Sequence, residues 1–327
     1  MRSLQRPQRK ASSTYLRVSV SDRCNLGCHY CAPRQRTGGE CHALTDDELL
    51  GLIAAIDETV AIRKIRITGG EPLLRPGLPE LIERIHWLLP ASQIGLTTNG
   101  TLLGGLASDL RRAGVESVNI SLDTPDPAKL AALTGRDMLG SILQGLAAAR
   151  AAGFSPIKIN AVLLRTFNGP HLADLVRLAA QNGCEIRFIE LMPLGAAASM
   201  FDAEYVSAGE ALECLRRSFA YVGPLPDTST ARRHLLRDGT QEIAIGLIAP
   251  VSQPFCSACD RLRLDCRGRL HACLRRNSGV DVAGLLAGAR GAGADRRAIR
   301  SRIEAVLASK WPVAEAWPRR SMATIGG

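Results

Sequence analysis

Aromatic residues are scarce, with Phe, Tyr and Trp together making only 4% of 327 residues. They do not interleave with Lys and Arg, which argues against a base-stacking stripe, so no nucleic-acid partner is expected. No apolar run approaches the ~18 residues of a membrane span, and no membrane partner is expected either. No secretory leader is expected either, because no apolar stretch follows the basic residues at the start. Acids are absent from residues 1–21. That Arg- and Ser-rich lead faintly resembles a transit peptide, but 15–20 reads better as a strand, and the expected location is cytoplasmic. The net charge of +10 is carried largely by Arg near the two ends. A solvated basic surface accounts for it, and an anionic small substrate is also compatible.

Thiols are not scarce. Of ten cysteines, six fall into two groups, Cys24/Cys28/Cys31 and Cys256/Cys259/Cys273. Cys41, Cys184, Cys214 and Cys266 are scattered and read as ordinary thiols, Cys266 being the one spare ligand to watch. A chain this rich in thiols fits a reducing compartment if they bind metal.

The stretch Cys24-Asn25-Leu26-Gly27-Cys28-His29-Tyr30-Cys31 has a C-x₃-C-x₂-C spacing. Thiolates ligate iron–sulfur clusters, and three ligands on a four-iron cubane leave one iron open to a small molecule. Tyr30 stands where its ring could shield such a cluster and face a bound cofactor. Zinc remains open on residue type alone, since His29 could complete a tetrahedron.

From Tyr15 to about Met192 the chain repeats strand, turn, amphipathic helix, Gly stop. Strands are predicted at 16–20, 62–68, 94–98, 115–122, 157–164 and 186–191. Thr45-Asp46-Asp47-Glu48 reads as a capping box opening the first helix, and Gly114, Gly153 and Gly183 stand at helix C′ positions. Six βα units imply a parallel sheet. That is two strands short of a full (β/α)₈ barrel, so the fold class is α/β, an open, partial (β/α)₆ barrel. One strand face is apolar (Leu16, Val18, Ile65, Ile67, Val118, Ile120, Ile157, Ile159) and should meet the helices. The other carries Arg17, Lys64, Arg66, Thr97, Asn119, Lys158 and Asn160. Inside a barrel such charges need a polar, anionic ligand, because an unpaired buried charge is costly.

Ile67-Thr68-Gly69-Gly70-Glu71-Pro72 ends the second strand, at the strand ends where barrel active sites are built. Beyond Met192 the repeat stops. Residues 203–225 look helical until Pro224 and Pro226, and 233–247 reads as a hairpin with an Asp238-Gly239 turn. Cys256-x₂-Cys259 and Cys273 then enclose Arg261 and Arg263 at alternate positions. Structural zinc stays open here too, if His271 or Cys266 completes a tetrahedron.

These features resemble the GTP 3′,8-cyclase family of molybdenum cofactor biosynthesis, within the radical S-adenosylmethionine (SAM) superfamily. The resemblance rests on 15–24, Ile65-Arg-Ile-Thr-Gly-Gly-Glu-Pro-Leu73, Arg187-Phe-Ile-Glu-Leu-Met-Pro193, Pro254-Phe-Cys-Ser-Ala-Cys-Asp-Arg-Leu-Arg263 and the Gly326-Gly327 end. It implies a radical SAM partial barrel over 1–220. A smaller α+β region over 221–327 would carry a second cluster. By resemblance, Cys24, Cys28 and Cys31 hold the SAM-cleaving [4Fe–4S] cluster, and Tyr30, Gly70, Ser121 and Met192 line the SAM site. Cys256, Cys259 and Cys273 hold a second [4Fe–4S] cluster that meets the guanine. Arg17, Arg66, Thr97, Lys158, Arg261 and Arg263 bind GTP, and the resemblance implies Arg17, Gly326 and Gly327 as catalytic residues. Ala32 stands where the family usually has Met.

The implied reaction cleaves SAM to methionine and a 5′-deoxyadenosyl radical, which takes the ribose 3′ hydrogen of GTP. The carbon radical attacks C8 of guanine, and reduction yields 3′,8-cyclo-7,8-dihydro-GTP. A low-potential electron donor is implied, as is a downstream cyclic pyranopterin monophosphate synthase that receives the product. A homodimer is compatible. The rival readings are a peptide-modifying radical SAM enzyme with an auxiliary cluster and a zinc-ribbon nucleic-acid-binding protein.

Overall fold

The computed structural model describes residues 14–31, 44–228, 230–256, 259–275, 279–284, 296–310 and 317. Ala32, Cys41, Gly326 and Gly327 therefore lie outside the described residues.

The first part of the chain follows the repeat. Strands β1 (Thr14–Ser19), β2 (Ile62–Thr68), β3 (Gln93–Thr98), β4 (Ser117–Ser121), β5 (Ile157–Leu163) and β6 (Glu185–Glu190) lie side by side. All five pairings are parallel. The crossovers carry α1 (Asp46–Val60), α2 (Leu78–Leu88), α3 (Leu103–Arg112), α4 (Pro127–Thr134), α5 (Leu139–Ala151) and α6 (Leu172–Gln181). At the start of α1 the Thr45–Glu48 capping box is complete in both directions. Leu16, Val18, Ile65, Ile67, Val118, Ile120 and Ile159 are almost fully buried beneath the helices, so the apolar face packs as its alternation requires.

The later strands extend both edges of that sheet. After α7 (Phe201–Glu204) and α8 (Ala208–Arg216) come β7 (Ala220–Leu225), β8 (Arg232–Asp238) and β9 (Gln241–Ile248), of which β9 runs parallel to β6. At the opposite edge β10 (Arg261–Leu264) runs parallel to β1 and is followed by β11 (Arg269–His271) and β12 (Val280–Asp281). Helix α9 (Arg296–Ala308) follows. Among the described residues the outermost strands, β12 and β7, do not pair, so the twelve-stranded sheet is open. Also among the described residues, no helix is long and apolar enough to cross a membrane.

Two expectations need correction. The helical reading of 203–225 fails after Arg216, because Ala220–Leu225 is strand β7. Proline is tolerated there because β7 has only β8 as a neighbour, leaving Pro224 on a sheet edge. The hairpin turn is also displaced by one residue. Asp238 pairs with Gln241, so Gly239 and Thr240 form the loop, and Gly239 supplies its positive φ of 57°.

Candidate active site

Register turns the polar strand faces into rows. Arg263, Arg17 and Arg66 are direct neighbours across β10, β1 and β2. Thr97 pairs with Asn119, which pairs with Lys158, and Asn160 pairs with Arg187. Together with residues after β9 and around β10 they enclose a cavity of about 340 Å³, inside the usual range for small-molecule sites. Among the described residues nine Lys or Arg side chains line it and no Asp or Glu does.

The cations act on one another. Burial lowers the Arg17 guanidinium to about 10, with Arg261 and Arg66 adding to the effect. Arg263 falls well below its usual value, again through burial and then Arg17 and Arg261. Lys158 is lowered to about 8 by burial and by Arg187. Thr97 Oγ1, Asn119 Oδ1, Asn160 Oδ1 and Arg261 Nε are buried without a hydrogen-bond partner. A polyanion with polar edges would relieve both the repulsion and the orphaned groups.

Arg66 has its donors engaged by the protein itself. Its side chain lies over Gly95, where a Cβ would come within 2.5 Å of the guanidinium carbon. Its donors go to Tyr15 Oη (3.0 Å), Leu96 O (2.9 Å) and Ser117. Arg66 therefore gives the cavity charge more than free donors.

Cys256, Cys259 and Cys273 stand in the wall of this cavity. His271, one candidate for a fourth ligand, has Nε2 2.9 Å from Asp265 Oδ2. Cys266, the other, is buried and does not line the cavity.

The first thiol group sits where the ends of β2, β3 and β4 converge with α4. Gly70 N–H donates to Ser21 O and Glu71 N–H to Arg23 O, both at 2.7 Å. A Cβ on Gly69 would meet Ser21 O at 2.4 Å, and one on Gly70 would meet Arg23 O at 2.3 Å. The glycine pair thus serves a close crossing of two backbones, and that crossing launches the cysteine loop. Glu71 accepts from Thr98 Oγ1 and Asn99 N–H, each at 2.7 Å, tying β2 to β3. Asn99 Nδ2 reaches Asn25 Oδ1 at 2.8 Å, between the first two cysteines. The hydroxyl of Tyr30 donates to Asp123 Oδ2 at 2.8 Å. Gly27 and His29 N–H donate to Thr134 O and Leu133 O at the end of α4.

Burial, reinforced for Cys28 by Asp123 and the other two thiols, pushes Cys24 and Cys28 upward. A positively charged metal group would reverse this and hold them as thiolates. Among the described residues no three His, Cys, Asp or Glu side chains close on a point for a single ion. A zinc tetrahedron needs its sulfurs about 2.3 Å from one ion. Each all-thiol set of three is the soft donor set that suits an iron–sulfur cluster.

Residues 18–179 match the radical SAM superfamily, and residues 184–315 match the Molybdenum Cofactor Synthesis C family. A curated GTP 3′,8-cyclase of Moorella thermoacetica is 38% identical over 319 residues, covering 96% of this chain and 97% of that protein. The chain belongs to the GTP 3′,8-cyclase family. A GTP 3′,8-cyclase of Streptomyces coelicolor is 42% identical over 279 residues, covering 84% of this chain and 81% of that protein. Among solved structures, Streptococcus suis SuiB bound to precursor peptide SuiA aligns with a TM-score of 0.52 at 15% identity, over 63% of this chain and 45% of that one. That likeness shows the fold.

Of the residues this cyclase-family sequence singled out, Arg17, Arg66, Lys158, Arg261, Arg263, Met192 and the second thiol group share the cavity. Thr97 has a buried, partnerless hydroxyl one row from Asn119. Ser121 ends β4 beside Asn160. Tyr30, Gly70 and the first thiol group belong to the neighbouring loop cluster. Sequence reasoning left Tyr15, Arg187, Lys310 and Trp317 out of the site, although all four line the cavity. Tyr15 and Arg187 were within reach, because they alternate with buried Leu16 and Ile186. Lys310 and Trp317 carry no such signal.

Proposed function

We propose that this chain converts GTP to 3′,8-cyclo-7,8-dihydro-GTP by radical SAM chemistry, the first step of molybdenum cofactor biosynthesis. The observation that carries this reading is the cavity whose described lining holds nine cations and no carboxylate, with Cys256, Cys259 and Cys273 in its wall. We assign two [4Fe–4S] clusters, one to Cys24, Cys28 and Cys31 and one to the later three. When bound, cluster and SAM supply reductive cleavage and hence hydrogen-atom abstraction, which is the cofactors' chemistry rather than the protein's. The chain's part is to bind and orient. Arg17, Lys158, Arg261 and Arg263 neutralise the triphosphate and fix the base, and the partnerless Thr97 and Asn119 oxygens take polar edges of the nucleotide. Tyr30, Gly70, Ser121 and Met192 line the SAM side.

Anaerobic incubation with SAM, dithionite and GTP tests the proposal. The expected products are 5′-deoxyadenosine and a cyclised nucleotide formed together. Formation of 5′-deoxyadenosine with GTP left intact would overturn the substrate assignment while leaving the superfamily chemistry in place.

A further inference from the structure

Arg275 follows Cys273 by two residues and makes three contacts at the second thiol group. Its backbone N–H donates to Cys273 Sγ at 3.3 Å. Its guanidinium brings positive charge to Cys256, the thiol at the other end of the group. The guanidinium carbon lies 4.4 Å from the centre of the Trp317 ring, and both side chains line the cavity. One residue thus engages two of three sulfurs, through main chain and side chain, and its charge is covered by an indole.

Hydrogen bonds to sulfur and nearby positive charge stabilise the more negative, reduced form of an iron–sulfur cluster, which raises its potential. An aromatic face over a guanidinium fixes its plane and excludes water from it. We infer that Arg275 is a positioning residue that raises the reduction potential of the second cluster, and that Trp317 holds it in place. The inference rests on the reading of Cys256, Cys259 and Cys273 as cluster ligands. It concerns one equilibrium, the uptake of one electron by that cluster from a donor. Arg275 neither gives nor takes the electron.

The test uses the full chain with Cys24, Cys28 and Cys31 all replaced by Ser, so that only the second site can hold iron. Iron is counted first, and about four per chain is expected after anaerobic reconstitution. Failure of this background protein to hold iron would refute the cluster reading itself. Midpoint potentials are then read by electron paramagnetic resonance during a redox titration. Arg275→Met is expected to lower the midpoint by about 59 mV, a tenfold change in a one-electron equilibrium. Arg275→Lys, with charge but no planar fork, should fall between. Trp317→Leu should shift the midpoint the same way by less. Unchanged midpoints with iron retained overturn the proposal, and so does a loss of GTP affinity in Arg275→Met without a shift. Should Arg275→Met fail to load, Arg275→Lys and Trp317→Leu decide, since the first keeps the positive charge and the second keeps Arg275 itself.

Discussion

The hydroxyl of Tyr15 accepts a hydrogen bond from Arg66 Nε at 3.0 Å, across the seam between β1 and β2. Lys64 Nζ and Arg261 Cζ each lie 5.6 Å from the centre of the same ring. Burial alone would push this phenol up, but Arg66, Arg17 and Arg261 bring it down to about 8. A neutral aromatic residue has become the nearest thing to an anion in a cavity of cations.

The pH dependence of nucleotide binding follows from that. Lys158 also titrates near 8, lowered by burial, Arg187, Lys64 and Arg66 and opposed by Glu185. A bound polyanion favours the ammonium form of Lys158 and the neutral phenol of Tyr15. Both groups then hold protons more tightly in the complex than in the free protein. GTP affinity should therefore be highest below about pH 8 and fall as pH rises past it. Calorimetry across that interval checks the trend, and Tyr15→Phe and Lys158→Gln should each flatten it. An affinity independent of pH would leave both groups outside the binding site.

Substitutions should separate the arginines by role. Arg17→Ala, like Lys158→Ala, removes a charge-assisted contact worth about 1.5–3 kcal/mol, or about tenfold to a hundredfold in GTP affinity. SAM binding should barely change. Arg17→Ala relieves the burial and like-charge repulsion that press that guanidinium down, so it should lower the melting temperature of the free protein less than Arg66→Ala does. Arg66→Ala should lower the melting temperature as well, since it strips donors from Tyr15, Leu96 and Ser117. Equal melting temperatures for the two variants would erase this distinction.

The two thiol groups should have separable tasks. Cys24→Ser is expected to abolish reductive cleavage of SAM. Cys256→Ser should spare that cleavage and lose nucleotide cyclisation, and each variant should keep about half its iron. Equal loss of SAM cleavage in both, with the first cluster still loaded, would merge the two sites into one function.

Much of this architecture was legible locally. Six parallel strands, their apolar and polar faces, and both thiol groups follow from alternation and spacing. What escaped was non-local. Nothing near Arg261 says that β10 will run beside β1 and set Arg263 opposite Arg17. Pro224 reads as a helix breaker unless one knows that β7 is an edge. Lys310 reaches the cavity wall and donates to Arg261 O at 2.9 Å only because α9 folds back against α1 and β11. The glycine pair is the subtlest case. Its sequence suggests room for a ligand, whereas its geometry shows room for another backbone.

A Cβ on Gly70 would lie 2.3 Å from Arg23 O and 2.7 Å from Arg23 C, both main-chain atoms that cannot rotate aside. The same crossing carries the 2.7 Å bonds from Gly70 to Ser21 and from Glu71 to Arg23. Gly70→Ala must therefore separate the end of β2 from the segment entering Cys24, at an overpacking cost of roughly 1–3 kcal/mol. The expected result is a lower melting temperature and loss of iron from the first thiol group, with the second group still loaded. Gly105 in α3 is the control, because a Cβ there meets nothing within 4 Å. Gly105→Ala should stabilise the helix by roughly 0.5 kcal/mol and leave iron unchanged. Gly70→Ala protein with full iron and an unaltered melting temperature would mean that the loop tolerates displacement, and the crossing would lose its role in placing the cysteines.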